Sequence, residues 1–432
     1  MSENPVGEQP LLKVTQSELN EIIRRHRVFM AGKRGGARAV VKDGDLSGLS
    51  LAGQDLSQSD FTGCDFSNAD LNDTNFEGAT LFGCDFTHAK MNNARMVKSD
   101  MRGADVSKAD LSKANMTGAD LREGKIITHK RAKKLDENFS GDAQTAATQF
   151  SGSNLSGANL NGATANAANF DDSNLRNATL QGTDLRNATL RGADLNNADL
   201  SSADLRNADL SYATMVGAIT RGTEKSGLQT TLTLTEEPVG KDFEEVGLTL
   251  DELLLRHISW VASGGRQGAQ MDLTGTDMRK GPSLATRRLT AMKAPQATFA
   301  EMDLRGIEIQ SAQMQKADFR NCLLQNADMR GSNFTEALFN RANLSKANLN
   351  PLIFKKPDGV EFTIPCCFEK ASLRQVILTG ARIMEGKFRG ADLVDADFSN
   401  CDLRKADFTG ANIAGAKFDG AALEGAIFDK NP

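Results

Sequence analysis

A five-residue repeat of apolar side chains constrains this sequence more than any other feature. From Leu46 to Leu121, every fifth residue is Leu, Phe, Met or Val. Further runs of the same kind lie at 150–215, 299–349 and 373–428. A period of five matches neither the 3.6-residue period of an α-helix nor the two-residue period of a strand. We therefore predict that the chain turns once in every repeat and winds into a solenoid.

The residue two before each of these core positions is also restricted. It is Ala, Cys, Ser or Thr almost throughout, as at Ala69, Cys84 and Ala104. Residues two apart on an extended chain point to the same side, so both side chains are predicted to face one interior. The next two residues are mostly Ser, Gly, Asn, Lys or Arg, which suit a turn at a wet surface. Asp or Asn stands just before the core position, where we expect it to face outward and to bond nearby backbone.

The spacing of phenylalanine predicts the length of one coil. Of the 22 Phe residues, 15 occupy core positions, whereas the chain has one Trp and one Tyr. This preference for an aromatic side chain without a polar tip indicates a dry interior. Phenylalanines recur at every fourth repeat in Phe299, Phe319 and Phe339, and again in Phe388, Phe408 and Phe428. A recurrence at every second repeat is as common, but a two-sided coil would leave no filled interior. We therefore predict four-sided coils, with one repeat on each side.

These repeats resemble those of the pentapeptide-repeat family, as in Ala193-Asp194-Leu195 and Ala391-Asp392-Leu393. The resemblance covers about three-fifths of the chain. It implies an all-β solenoid, a right-handed quadrilateral β-helix in which the core side chain and the small residue both point inward. Some members of the family act as DNA mimics that bind type II topoisomerases through an acidic rod.

Two similar segments outside the repeats divide the chain into two modules. Each offers a Thr followed three residues later by Glu, Thr15 with Glu18 and Thr249 with Glu252, as in a helix capping box. Each is followed by an apolar run and then by glycine, so each predicts a short helix that covers a solenoid end. The predicted segments are a tail and capping helix at 1–43, a first solenoid at 44–219 with an inserted loop at 125–149, a linker at 220–247, a second capping helix at 248–272, and a second solenoid at 273–432 with a hairpin insertion at 350–372.

The two insertions are the predicted interaction sites, because irregular loops on a regular scaffold commonly carry recognition. In the second, a Pro-Asp-Gly turn between two β-prone runs predicts a projecting hairpin. The candidate residues are Lys130, Arg131, Lys133 and Lys134 in the loop, and Lys355, Lys356 and Asp358 in the hairpin.

The sequence offers no constellation of catalytic residues. It contains no GxxxxGK[ST] phosphate-binding loop and no HExxH zinc motif. His26 and His257 lie on predicted helix faces without a second ligand, and most cysteines occupy the small inward position. The adjacent pair Cys366 and Cys367 leaves a redox or metal role open. We predict a protein that is not an enzyme, with no cofactor, no metal and no small-molecule substrate.

Charge and hydropathy narrow the class of partner. The net charge is -5, and over 44–124 there are 13 acidic and 7 basic residues, a local net charge of -6. Direct nucleic-acid binding is therefore disfavoured. No apolar stretch approaches the roughly 18 residues of a membrane span, and Met1–Pro10 lacks the pattern of a secretory leader. Six cysteines are too few for a disulfide scaffold, so a reducing, cytoplasmic setting is expected. The family resemblance adds the expectation of a bacterial source.

The favoured function is a non-enzymatic scaffold that mediates protein–protein interaction with a partner of unknown identity, through the solenoid faces and the two insertions. The main alternative is a DNA-mimic modulator of a type II topoisomerase (gyrase), which the acidic first run favours. The basic residues interleaved with Asp in the other runs weaken that alternative. A secreted effector is a third possibility, raised by analogy with the family alone.

Overall fold

A computed structural model of the chain describes residues 11–126, 144–356 and 358–429. The chain divides into two compact units, Met1–Glu237 and Pro238–Pro432. Within each unit, the residue before a core position forms a parallel bridge to its equivalent four repeats later, as in the series Asp45, Asp65, Asp85 and Asp105. We call such a series a column. Four columns per coil give four sides, which confirms the predicted coil of four repeats. Since each side contributes one bridged residue, few sides are longer strands.

Most repeats end in a turn whose second residue adopts a left-handed backbone conformation. Gly48 has φ +68°, and Asn68, one coil later at the same corner, has φ +59°. Glycine adopts this conformation without steric cost, and Asn tolerates it better than most residues. The Asp before the core position stabilises the turn, because Asp45 Oδ1 accepts the backbone N–H of Ser47 at 3.1 Å. The expected outward Asp with a backbone partner is therefore confirmed.

The core of each unit is a stack of apolar side chains sealed by the four sides. Leu46 and Phe61 at core positions and Cys64 and Ala69 at small positions are completely buried. The rings of Phe388 and Phe408 stack with centroids 4.8 Å apart and an interplanar angle of 3°. Those of Phe408 and Phe428 stack at 4.6 Å and 4°. The predicted phenylalanine columns are confirmed.

Each unit begins with a capping helix. Helix α1 spans Gln16–Met30 and helix α2 spans Leu250–Ala262, and both predicted capping boxes are present. Short parallel pairs tie the segments before these helices to the first coils. Strand β1 (Leu12–Lys13) pairs with β2 (Gly44–Asp45), and β5 (Lys241–Asp242) pairs with β6 (Thr276–Asp277). A 3₁₀ helix at Phe243–Val246 follows β5. Across Pro282, Asp277 bridges Thr298 rather than Ala297, so the column slips by one residue there.

Two insertions interrupt the columns without shifting them. Around the first, Asp105 bridges Gln149 instead of position 125, and strands β3 (Gly124–Ile126) and β4 (Gln144–Ala146) form an antiparallel pair at its root. Around the second, Asn333 bridges Cys367 instead of position 353, and strands β7 (Leu352–Lys355) and β8 (Glu361–Ile364) form an antiparallel pair. The predicted hairpin is therefore present. It ends earlier than the predicted 350–372, because Cys366 and Phe368 are fully buried in the next coil.

The first solenoid extends beyond its predicted end at residue 219. Parallel bridges continue to Leu234, so residues 220–234 of the predicted linker at 220–247 continue the coils. In residues 220–234, the positions that continue the five-residue register of the core are polar, as at Thr220 and Lys225, and Lys225 is exposed. Bridges between backbones do not require apolar side chains, so the coil persists where the apolar pattern stops. No helix in the described residues is long and apolar enough to cross a membrane.

Candidate functional site

The hairpin formed by β7 and β8 carries a group of exposed apolar side chains in the second unit. Phe354 and Phe362 face each other across the two strands, with ring centroids 5.5 Å apart. Their exposed fractions are 39% and 42%, and that of Ile353 is 65%. Val360 and Ile364 are also exposed. Aromatic and branched side chains left in water on a projecting element are typical of a contact surface.

The base of the hairpin is fixed to the coils on either side of it. A Cβ atom added at Gly331 would lie 2.9 Å from Leu352 Cδ1 and 3.1 Å from the Ile364 carbonyl oxygen, so the hairpin packs closely on this turn. On the following coil, Thr363 Oγ1 donates to Glu385 Oε2 at 2.8 Å. The hairpin therefore projects from a defined position, and the region around Phe354 and Phe362 is presented to solvent.

The backbone edges of the hairpin follow from its register. Lys356 N–H donates to the Val360 carbonyl at 2.9 Å, which makes this a hydrogen-bonded pair. Hydrogen-bonded pairs alternate with non-hydrogen-bonded pairs in an antiparallel ladder. The backbones of Phe354 and Phe362 therefore form the next hydrogen-bonded pair, while the backbone N–H and C=O groups of Ile353 and Lys355 point outward. Strand β7 therefore presents donors and acceptors along an exposed edge.

The predicted site residues of the hairpin have different roles. Lys355 Nζ lies 3.1 Å from Glu361 Oε1, and both side chains are well exposed. Lys356 is exposed near the tip. Asp358 Oδ1 accepts the Val360 N–H at 3.0 Å, so its carboxylate stabilises the turn. The apolar side chains between these residues were not predicted as contact residues, although two phenylalanines outside core positions were a usable signal.

The predicted basic residues of the first insertion, Lys130, Arg131, Lys133 and Lys134, lie outside the described residues. The described root of this insertion packs tightly on the solenoid. Thr148 Oγ1 donates to the Arg122 carbonyl at 2.9 Å, and Gly103 N–H donates to Thr148 Oγ1 at 3.1 Å. The guanidinium of Arg102 lies 5.4 Å from the centre of the Phe82 ring.

One column of the first unit has an Asp residue in each of four consecutive coils. Its members are Asp45, Asp65, Asp85 and Asp105. Each accepts a backbone N–H from the Ser or Thr two residues later. Neighbouring parallel strands are about 4.8 Å apart, so the four carboxylates form a stripe of closely spaced negative charge.

A second column of the same unit has its acidic residues neutralised. Asp184 and Asp204 each accept a bidentate interaction from the Arg two residues later, with shortest N–O distances of 2.7 and 2.6 Å. The hydrogen bonds from Arg186 lower the pKa of Asp184, and those from Arg206 lower the pKa of Asp204. The two columns therefore differ in net charge although both are rich in Asp.

The adjacent cysteines do not form a shared site. Cys366 points into the core, donates to the Met329 carbonyl at 3.1 Å, and has its pKa raised to about 12 by burial. Cys367 occupies an outward bridged position, with Sγ 3.3 Å from Thr335 Oγ1. Neighbouring residues of an extended chain point to opposite sides, so the two thiols diverge. In the part of the chain that the structure describes, no group of three or more His, Cys, Asp or Glu residues could hold a metal ion.

Three family models match the repeats. The model described as pentapeptide repeats (8 copies) matches residues 183–219, 312–350 and 391–429. The pentapeptide repeat region model matches 54–128, and the model of pentapeptide repeats (9 copies) matches 147–189. Together they span more than half of the chain. The chain belongs to the pentapeptide-repeat family.

Solved structures to which this pentapeptide-repeat protein is similar include three with distinct descriptions. Full-length QnrB1, a plasmid-mediated fluoroquinolone resistance protein, is 21% identical, with 45% of this chain and 94% of that chain covered and a TM-score of 0.21. HetL of the cyanobacterium Nostoc sp. strain PCC 7120, involved in heterocyst differentiation regulation, is 18% identical, with 92% and 94% covered and a TM-score of 0.12. Rfr23 of the cyanobacterium Cyanothece is 24% identical, with 32% and 91% covered and a TM-score of 0.20. No curated protein matches the chain at a significant level.

Proposed function

We propose that this pentapeptide-repeat protein is a cytoplasmic, non-enzymatic scaffold that binds a protein partner through the β7–β8 hairpin. We also propose the right-handed winding that the family resemblance implies. The observation that supports the function best is the exposure of Ile353, Phe354 and Phe362 on an element whose base contacts the solenoid. Nothing in the packing of the solenoid requires these side chains to be apolar. Burial of these apolar side chains against a partner would remove them from water and would therefore favour binding.

The edge of β7 indicates how a partner would be held. Outward backbone groups at Ile353 and Lys355 can pair with an extended segment of another chain, which adds main-chain hydrogen bonds to the apolar contact. The Phe354 and Phe362 rings would then serve as anchors, and aromatic anchors commonly account for about 2 kcal/mol or more of binding free energy each. The solenoid acts as the support that fixes their position.

A matched pair of double variants tests this proposal. The partner is first identified by affinity capture from the native cell with mass spectrometry, then purified and titrated against the full chain. F354A/F362A is expected to weaken binding by at least tenfold. L323A/I377A is the control, because Leu323 and Ile377 are each 39% exposed but lie in a solenoid column. Equal affinities for both variants and the wild type would refute the role of the hairpin.

A deletion provides an independent test of the same role. Removal of 351–364 takes out the excess chain between Asn333 and Cys367 and restores the regular spacing of four repeats between these bridged residues. The solenoid should therefore close without the hairpin and retain its far-ultraviolet circular dichroism. Loss of partner binding in this folded variant is the expected result, and unchanged binding would exclude the hairpin as the contact.

Modulation of a type II topoisomerase by DNA mimicry is the second candidate, and the acidic column is the observation that favours it. D65N/D85N removes two charges from that column, whereas D184N/D204N removes two from the neutralised column. If the protein acts as a DNA mimic, only the first variant should lose inhibition of supercoiling by purified gyrase. No effect of the wild-type protein at micromolar concentration would exclude this candidate.

A further inference from the structure

The two capping helices share a buried histidine with the same environment. His26 of α1 and His257 of α2 are 0% and 1% exposed. In both, Nδ1 accepts a backbone N–H from the start of the first coil, from Ala39 in one unit and Met271 in the other, at 3.0 Å. Because both helices have the same geometry, we interpret it as a shared feature of the two units rather than a chance contact in one of them.

Each imidazole also stacks on the aromatic side chain three residues later in its helix. The ring of His26 lies 6.0 Å from that of Phe29 at an interplanar angle of 25°. The ring of His257 lies 5.9 Å from that of Trp260 at 12°. The histidine therefore joins three elements of the cap, namely its helix, an aromatic side chain and the backbone that begins the solenoid.

This arrangement requires a neutral ring. A nitrogen that accepts an N–H carries no proton, so Nε2 carries the single proton of each imidazole. Both Nε2 atoms are buried without a close hydrogen-bond partner, and the backbones of Ser57 and Thr290 lie near His26 and His257 respectively. A second proton could be placed only on Nδ1, where the new N–H would point at the N–H of Ala39 or Met271. Protonation would thus convert the bond between helix and coil into a contact between two donors.

We propose that each capping helix is an acid-labile cap, held on its solenoid by a neutral histidine and released when that histidine is protonated. Leu19 and Ile23 of α1 belong to the same buried cluster as Leu46 of the first coil. Leu253 of α2 belongs to the cluster that contains Leu273. Release of a helix would therefore uncover the apolar end of its solenoid and make that end available for contact.

The surroundings of the two rings set the direction of the effect. Burial lowers the pKa of both histidines. For His26, the Asp55 carboxylate and the Ser57 backbone oppose this shift, while the charge of Arg38 adds to it. For His257, the Thr290 backbone opposes it. A group whose pKa is lower in the docked form binds its proton more readily when undocked. Docking is therefore fully stable above about pH 6.5, the ordinary histidine pKa, and weakens as the pH falls below it.

Hydrogen exchange of the full chain tests this proposal at the bond itself. The exchange of the Met271 and Ala39 amides is measured from pH 7.5 to 5.0 and corrected for the intrinsic change in rate. Each opening constant should rise by up to tenfold per pH unit below about 6.5, until the pKa of the docked histidine is reached. An opening constant independent of pH would overturn the proposal.

Three variants assign the effect to the named rings. The amide oxygen of Asn can replace Nδ1 as an acceptor but does not titrate, so H257N should abolish the pH response of Met271 and leave that of Ala39 intact. H26N should do the reverse. H88N is the control, because His88 is exposed on a solenoid corner, and it should change neither response. A wild-type response in H257N would overturn the proposal.

If H257N did not fold, the wild-type chain would still decide. Trp260 is the one tryptophan and stacks on His257, so its emission should change over the same pH range in which the exchange of Met271 accelerates. A change confined to a different pH range would contradict coupling between protonation and release.

Discussion

Replacement of a phenylalanine in the middle of a column is the strongest test of the core. Phe388 is fully buried and stacks between Phe368, at 5.2 Å, and Phe408, at 4.8 Å. It also meets Phe398 edge-on at 5.7 Å. F388A should lower the free energy of unfolding by about 3–5 kcal/mol, because the coils above and below cannot collapse into the space. F388L keeps most of the apolar volume but loses the ring contacts, and should cost about 1–2 kcal/mol.

Urea unfolding followed by Trp260 emission measures these losses, since Trp260 belongs to the same unit as Phe388. F354A is the matched control, because Phe354 is 39% exposed on the hairpin and should cost less than about 1 kcal/mol. A cost for F388A no larger than that for F354A would refute the stacked core, as would equal costs for F388A and F388L.

Three further predictions follow from the buried thiols, the hairpin base and the paired carboxylates. Burial raises the pKa of four thiols well above the ordinary value, namely those of Cys64, Cys322, Cys366 and Cys401. These four cysteines should therefore react with a disulfide reagent such as DTNB at pH 8 only after the protein unfolds. Fast labelling of more than two thiols in the native protein would contradict their burial. G331A should accelerate hydrogen exchange of the hairpin, because the added Cβ would lie 2.9 Å from Leu352. G390A is the control: Gly390 has φ +63°, close to the +65° of Gly331, but its added Cβ would meet nothing closer than 3.7 Å, so exchange should not change. Equal effects of the two variants would exclude the contact between Gly331 and the hairpin. Hydrogen bonds from Arg186 lower the pKa of Asp184, so this pair stabilises the fold above about pH 4 and its contribution is lost as the pH falls through the lower, native pKa. D184N should therefore flatten the decline, below pH 4, of the urea midpoint followed by far-ultraviolet circular dichroism, and an unchanged decline would show that the pair contributes nothing.

The repeated part of the fold could be predicted because one physical constraint recurs in every repeat. A side chain at each fifth position must enter a narrow interior, and like side chains stack on the next coil. The positions of Phe388 and Phe408 follow from that constraint alone. The capping boxes at Thr15 and Thr249 were readable for a similar reason, since they depend on residues three apart.

The ends of the repeats were harder to predict because backbone pairing outlasts the side-chain pattern. Thr220 and Lys225 break the apolar period, yet their coil still bridges the one before it. Phe368 offered a signal that the sequence interpretation did not use, because it lies five residues before Leu373 and Cys366 occupies the small position. The register was hidden by the insertion that precedes it.

The contact surfaces depend on which face of an element is covered, and this is a three-dimensional property. Alternation in the hairpin shows that two faces exist but not that Phe354 and Phe362 remain exposed. The bond from Ala39 to His26 likewise joins residues 13 apart through a change of chain direction. Sequence patterns placed both features on the correct elements, while their partners required the structure.

A crystal structure of the full chain would test the geometry of the columns most directly. We expect electron density in which the rings of Phe388, Phe408 and Phe428 overlie one another at the separations of 4.8 and 4.6 Å found here. Asp65 should lie between Asp45 and Asp85 on one side of the first unit. Density that paired residues two or three repeats apart would contradict the four-sided coil, and with it every surface assigned above.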